Sequence, residues 1–152
     1  MKKALAWAMC LAWMAVIFAF SAMPGDVSGA QSGRITALVM RLLSLLPGER
    51  FAASAATVEW IVRKGAHMTE YAVLFLLYHR ALRLSGVRRC GLLALALCAA
   101  YATTDELHQC ITPERGPSPV DVMIDTAGAA IAGILHALWC ATSRGGGRPR
   151  RG

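Results

Sequence analysis

The chain reads as an all-α protein, a transmembrane helical bundle of about four membrane-spanning helices plus a short amphipathic interfacial helix. Three observations predict this class. Hydrophobic residues fill 56% of the 152 positions and charged residues only 16%, a balance wrong for a water-soluble domain of this length. The apolar residues gather into four runs, each near the roughly 20 residues that cross a bilayer's hydrocarbon core. The acidic residues of these runs, with His67 and His108, collect at one end of the bundle the runs would form.

The first run, 4–22, follows Lys2 and Lys3. A cleaved signal peptide is the alternative, but Phe20-Ser21-Ala22 is a poor small-x-small cleavage site and the run is long for such a peptide, so a retained span is expected. Met23-Pro24-Gly25 then breaks the pattern and a polar stretch follows. Ile35, Leu38, Val39, Leu42, Leu43 and Leu46 recur at i, i+3, i+4, i+7, i+8 and i+11, which is one apolar face on a helix over 35–46 that is too short to span. It is expected to lie in the interface plane or cap the bundle until Pro47-Gly48 ends it.

The second span is placed at 63–83, with a helix start near Ser54, and a basic turn around Gly86 leads to the third at 90–109. The Pro-containing stretch 112–119 breaks the helix. The fourth span covers 121–142, and the Gly- and Arg-rich residues 143–152 read as a disordered basic tail. Residues 1–142 thus form one membrane domain.

Counting Lys and Arg on the two sides of such a bundle orients it. Lys2, Lys3, Arg80, Arg83, Arg88, Arg89, Arg144, Arg148, Arg150 and Arg151 share one side, against Arg34, Arg41, Arg50, Arg63, Lys64 and Arg115 on the other. The richer side should be cytoplasmic, with both termini there. The formal charge of +7 therefore reads as helix-end anchoring, and nucleic acid is not an expected partner. Cys10, Cys90, Cys98, Cys110 and Cys140 have neither metal-type spacing nor a paired framework and read as small buried apolar residues.

Three polar signatures coincide at the outward ends of the last three spans. Arg63-Lys64-x-x-His67-x-x-Glu70-Tyr71 puts Arg63, His67 and Glu70 on one helix face. Glu70 then lies about 10 Å deeper than Arg63, at a rise of about 1.5 Å per residue. Asp105-Glu106-x-x-Gln109 closes the third span, and Asp121-x-x-x-Asp125-x-x-Gly128 opens the fourth, each with an i, i+4 polar pair. Gly128 with Ala132, and Ala129 with Gly133, give the fourth helix small faces that let neighbouring backbones approach and bring the stripes together.

Ionisable groups at such depth face protein and mark functional sites. Arg63, Lys64 and Arg115 suit contact with an anion such as a lipid head group. His67, Glu70, Asp105, Gln109, Asp121 and Asp125 suit hydrogen bonding, divalent-cation binding or catalysis, with His67, Glu70, Asp105 and Asp125 the candidate acids and bases. The metal version lacks a tight two-histidine motif. A proton relay or solute gate is a further option. Alternatively the same charges form a buried ion network that only fixes helix register. His79 and His136 read as packing residues, and His108 sits beside the polar face of its helix without being on it.

At these residues the chain resembles the VanZ-like family of small bacterial membrane proteins. The resemblance rests on Ile17-Phe18-x-Phe20-Ser21 with Pro24, on the Arg63 to Tyr71 signature, on Asp105-Glu106-Leu107-His108-Gln109, and on Arg115 with Asp121-Val122-x-Ile124-Asp125-Thr126-x-Gly128. It implies a multi-pass protein of the bacterial inner membrane and a link to teicoplanin resistance, without implying a reaction. The leading expectation is recognition of an anionic envelope molecule, a lipid head group or cell-wall precursor. A metal-assisted hydrolase or transferase acting on a lipid-linked phosphate is the alternative, and a structural scaffold the second.

Overall fold

Five helices, α1 (Lys2–Ser21), α2 (Gly25–Leu43), α3 (Ala55–Leu84), α4 (Cys90–Gln109) and α5 (Pro119–Gly145), make up the computed structural model, which describes residues 1–45, 54–111 and 118–145. The boundaries have local causes. Ser54 caps α3 by accepting a hydrogen bond from the Thr57 amide at 3.2 Å. At its other end Gly86 takes φ +76, a left-handed conformation that favours glycine. There the amides of Gly86 and Val87 donate back to the carbonyls of Arg83 and Leu82, the doubled closure of a Schellman turn. Pro119 opens α5, where its missing N–H costs nothing, and Asp121 sits in the first turn against the positive end of the helix dipole.

The long α3 is the axis of the molecule and packs against every other helix. Trp7 near the start of α1 donates to Ser85 Oγ just past the end of α3, so these two helices run antiparallel. Lys64 meets Asp121 and His79 meets His136, so α3 and α5 run parallel. Trp13 donates to the Glu70 carbonyl at 2.9 Å and Tyr101 to the Met14 carbonyl at 2.6 Å, which ties α1 to both α3 and α4.

The packed faces carry small side chains and the outer faces large ones. Ala6, Cys10, Ala81, Ala94, Cys98, Ala102, Ala129 and Ala132 are buried around Tyr71, Leu74, Phe75 and Tyr78, while Leu92, Leu93, Ile131, Ile134, Leu135, Leu138 and Trp139 face outward. A water-soluble bundle does the reverse. In lipid, large apolar groups are as well solvated outside as inside, and close backbone packing holds helices together. Gly128 shows it most sharply, since a Cβ there would stand 2.4 Å from the Met68 carbonyl oxygen.

α1, α4 and the 119–143 part of α5 are long and apolar enough to cross a membrane. The second expected span, 63–83 within α3, is not apolar enough to count with them, because Arg63, Lys64, His67 and Glu70 crowd its beginning and Arg80 and Arg83 its end. Its place at the centre of the bundle explains how it carries them. Two further boundaries differ from the sequence expectation. α5 continues through Ser143 to Gly145, into the stretch expected as tail, and residues 146–152 lie outside the described residues. The amphipathic helix begins at Gly25, ten residues before its apolar repeat, and its expected last residue, Leu46, is outside the described residues. Of the cysteines, Cys10 and Cys98 are buried as expected, but Cys110 is exposed.

Candidate functional site

The face of α3 that carries Arg63, His67 and Glu70 forms one wall of an open cleft of about 260 Å³. The opposite wall is α2, through Ser28, Gln31, Ser32 and Ile35, and Phe20 at the end of α1 closes one edge. What sets α2 there is a helix turned inside out for water. Its polar and small stripe packs inward, with Ser32 and Thr36 buried and Ser32 donating to Glu59 Oε1 of α3 at 3.0 Å. Its apolar stripe points outward, with Ile35, Leu38 and Leu42 exposed by 52, 58 and 56%. α2 thus packs on α3 with its apolar face directed away from the bundle.

Within the cleft, His67 Nδ1 lies 3.6 Å from Glu70 Oε2, a pairing that becomes ionic when the ring is protonated. Arg63 stands one helical turn above His67, and among the described residues it forms no ion pair. A guanidinium lining an open cleft without a carboxylate partner presents its donors to whatever enters.

The acids of α4 and α5 lie on the other side of α3. Asp105 and Asp125 are 3 and 4% exposed, and Glu106 and Gln109 are buried beside them. Asp125 is within electrostatic reach of Asp105, Asp121, Glu106 and Glu70. Asp121 Oδ1 forms an ion pair with Lys64 at 2.5 Å. Glu106 accepts from the Ser118 amide at 2.5 Å and so holds the chain as it re-enters the bundle to start α5. Gln109 donates to Ser21 Oγ at 2.8 Å, fixing the end of α1 against the end of α4.

The three stripes therefore converge at one end of the bundle, but they divide into two groups. Arg63 and His67 look into the cleft, Lys64 belongs with the acids through Asp121, and Glu70 lines the cleft while remaining within electrostatic reach of Asp105. Lys64, expected among the anion contacts, is thereby engaged by a carboxylate. Arg115 lies outside the described residues. His108 packs its ring on Phe18 at a centroid distance of 4.5 Å.

Sequence reasoning missed the α2 wall. Ser28, Ser32 and Thr36 recur every four residues with Gly29 and Gly33 beside them, a signal available in the sequence but concealed by its polarity, which resembles a loop. It also passed over Tyr71, whose side chain is fully buried within electrostatic reach of Asp105 and Asp125, its hydroxyl without a hydrogen-bond partner among the described residues. Among those residues no three His, Cys, Asp or Glu side chains are arranged to hold a metal ion.

Comparison with curated proteins and with solved structures returns no significant match. The sequence model of the VanZ/LLP1 family matches residues 6–140, which takes in most of α1, all of the polar signatures and most of α5.

Proposed function

The chain belongs to the VanZ/LLP1 family of membrane proteins, and from that premise we propose that the α2–α3 cleft binds the phosphate or carboxylate of an anionic envelope molecule. The observation that carries this reading is Arg63, a cation lining an open cleft with no ion-pair partner among the described residues, beside the His67–Glu70 pair. Charge-assisted hydrogen bonds from Arg63 and from protonated His67 supply the affinity, and Ser28 and Gln31 supply neutral donors around them. Size narrows the ligand. At about 260 Å³ the cleft falls below the roughly 300–1,000 Å³ typical of pockets for drug-sized molecules, which fits a lipid head group or a single phosphate better than a whole cell-wall precursor.

By the excess of Lys and Arg at the other end of the bundle, the cleft opens outward from the cytoplasm in a bacterial plasma membrane. Binding there would connect the protein to glycopeptide susceptibility by changing which anionic molecules the antibiotic meets. The test is a pair of variants, Arg63→Ala and His67→Ala, assayed for folded yield in membranes and for teicoplanin susceptibility. Normal yield with altered susceptibility is expected; normal yield with unaltered susceptibility in both refutes the site.

A catalytic reading has its own observation, the contact of His67 Nδ1 with Glu70, which orients an imidazole as a general base. Turnover of a lipid-linked phosphate by the purified protein, abolished in Glu70→Gln with binding kept, would distinguish catalysis from binding alone. Chelation is expected to leave binding and any turnover unchanged, because the proposed chemistry uses the cleft's own side chains.

A further inference from the structure

At the opposite end of the bundle, α3 and α5 enclose a second recess of about 410 Å³ lined by Leu76, His79, Arg80, Arg83, Leu84 and His136. The two imidazoles meet edge to face at a centroid distance of 4.6 Å, and His79 is within electrostatic reach of Arg83. Arg80 and Arg83 are exposed and, among the described residues, take part in no ion pair.

Protein carboxylates are missing from this end for a reason visible in the sequence. Every acidic residue falls at position 26, 49, 59, 70, 105, 106, 114, 121 or 125, so there is none before Asp26, none between Glu70 and Asp105, and none after Asp125. The start of α1, the end of α3, the start of α4 and the end of α5 meet here, and none of them brings a negative charge. The sequence thus offers Arg80 and Arg83 no side-chain carboxylate at this end, which leaves them open to an anion from outside the chain.

We propose that this recess holds the phosphate of an anionic phospholipid drawn from the adjoining leaflet. Arg80 and Arg83 pair with the phosphate oxygens, His79 and His136 donate ring N–H groups from the inner wall, and Leu76 and Leu84, both partly exposed, lie along the acyl chains. A lipid is favoured over a soluble anion by depth. His136 precedes the end of the apolar span Pro119–Ser143 by seven residues, about 10 Å along the helix, and the apolar flanks suit a ligand that carries its own hydrocarbon.

The full chain, reconstituted in phosphatidylcholine nanodiscs containing a minor share of phosphatidylglycerol, is released and the lipids retained per protein are counted by native mass spectrometry. Preferential retention of phosphatidylglycerol is expected, with a several-fold loss in the double variant Arg80→Gln, Arg83→Gln, recovery in Arg80→Lys, Arg83→Lys, a smaller loss in His136→Gln, and no change in Arg88→Gln. Equal retention of the two lipids, or retention undiminished in the double variant, overturns the proposal. So does displacement of the bound lipid by inorganic phosphate alone, which would assign the recess to a soluble anion. If the glutamine pair does not yield folded protein, His136→Gln decides, and undiminished retention there is refutation. The loss caused by Arg80→Gln, Arg83→Gln should be just as large in an Arg63→Ala background, which separates this site from the cleft at the other end.

Discussion

Neighbouring residues on one turn of α3 have different work. Arg63 faces the cleft without an ion-pair partner among the described residues, whereas the next residue, Lys64, is bound to Asp121 across the α3–α5 seam. Arg63→Ala should weaken anion binding by about 1.5–3 kcal/mol, the scale of a hydrogen bond to a charged group, while leaving the melting temperature almost unchanged. Lys64→Ala should do the opposite. Both members of its pair are partly exposed, so the loss is about 1 kcal/mol of stability, read by thermal melting in detergent, with anion binding retained. A charge exchange, Arg63→Glu with Glu70→Arg, separates a binding site from a register-fixing network. The two residues form no ion pair in the structure, so the exchange should not restore binding.

Among the elements, α5 depends on glycine and α2 on its reversed polarity. Gly128→Ala should destabilise the bundle by about 1–3 kcal/mol, because the added Cβ meets the Met68 backbone, which cannot turn aside. Gly133→Ala should cost less, since the new methyl meets the edge of the Phe75 ring at 2.9 Å, a side chain rather than backbone. Melting temperatures of the two variants in one detergent compare them directly. How far the elements could be read from sequence follows from the same contrast. The third span was legible at 90–109 from the apolar run that opens it and the Asp105 to Gln109 signature that closes it, and the structure gives Cys90–Gln109. The 54–84 helix was equally legible, because Ser54 and Gly86 carry cap and turn chemistry. α2 was only half legible. The repeat from Ile35 onward showed its lipid-facing side, but Ser28, Ser32 and Thr36 pack inward, and a buried polar stripe in a membrane protein is indistinguishable by composition from a solvated loop. The convergence of Glu70, Asp105 and Asp125 was implied by helix periodicity. The separation of Asp105 and Asp125 from Arg63 and His67 was not, since it depends on which flank of α3 each neighbour takes.

For the whole molecule, the segregation of charge is the governing feature. The acids crowd the end where α3 and α5 begin, and the other end holds Lys2, Lys3, Arg80, Arg83, Arg88 and Arg89. If that second end is cytoplasmic, single cysteines placed at Arg115 and Arg150, in a background with the five native cysteines replaced, should react with impermeant reagents from opposite sides of the membrane. Reaction from the same side would contradict the single crossing by α5 that separates the two positions.

The 30 residues of α3 also act as a ruler. From Leu84 to Arg63 is about 32 Å along the helix axis, close to the roughly 30 Å of an average bilayer interior, so the guanidinium meets the glycerol layer when the other end is seated at its own surface. A thinner membrane would lift the cleft into water, and a thicker one would submerge it beneath the phosphates. Anion occupancy should therefore pass through a maximum as acyl length is varied across a nanodisc series, making the thickness of the host membrane a control on ligand access.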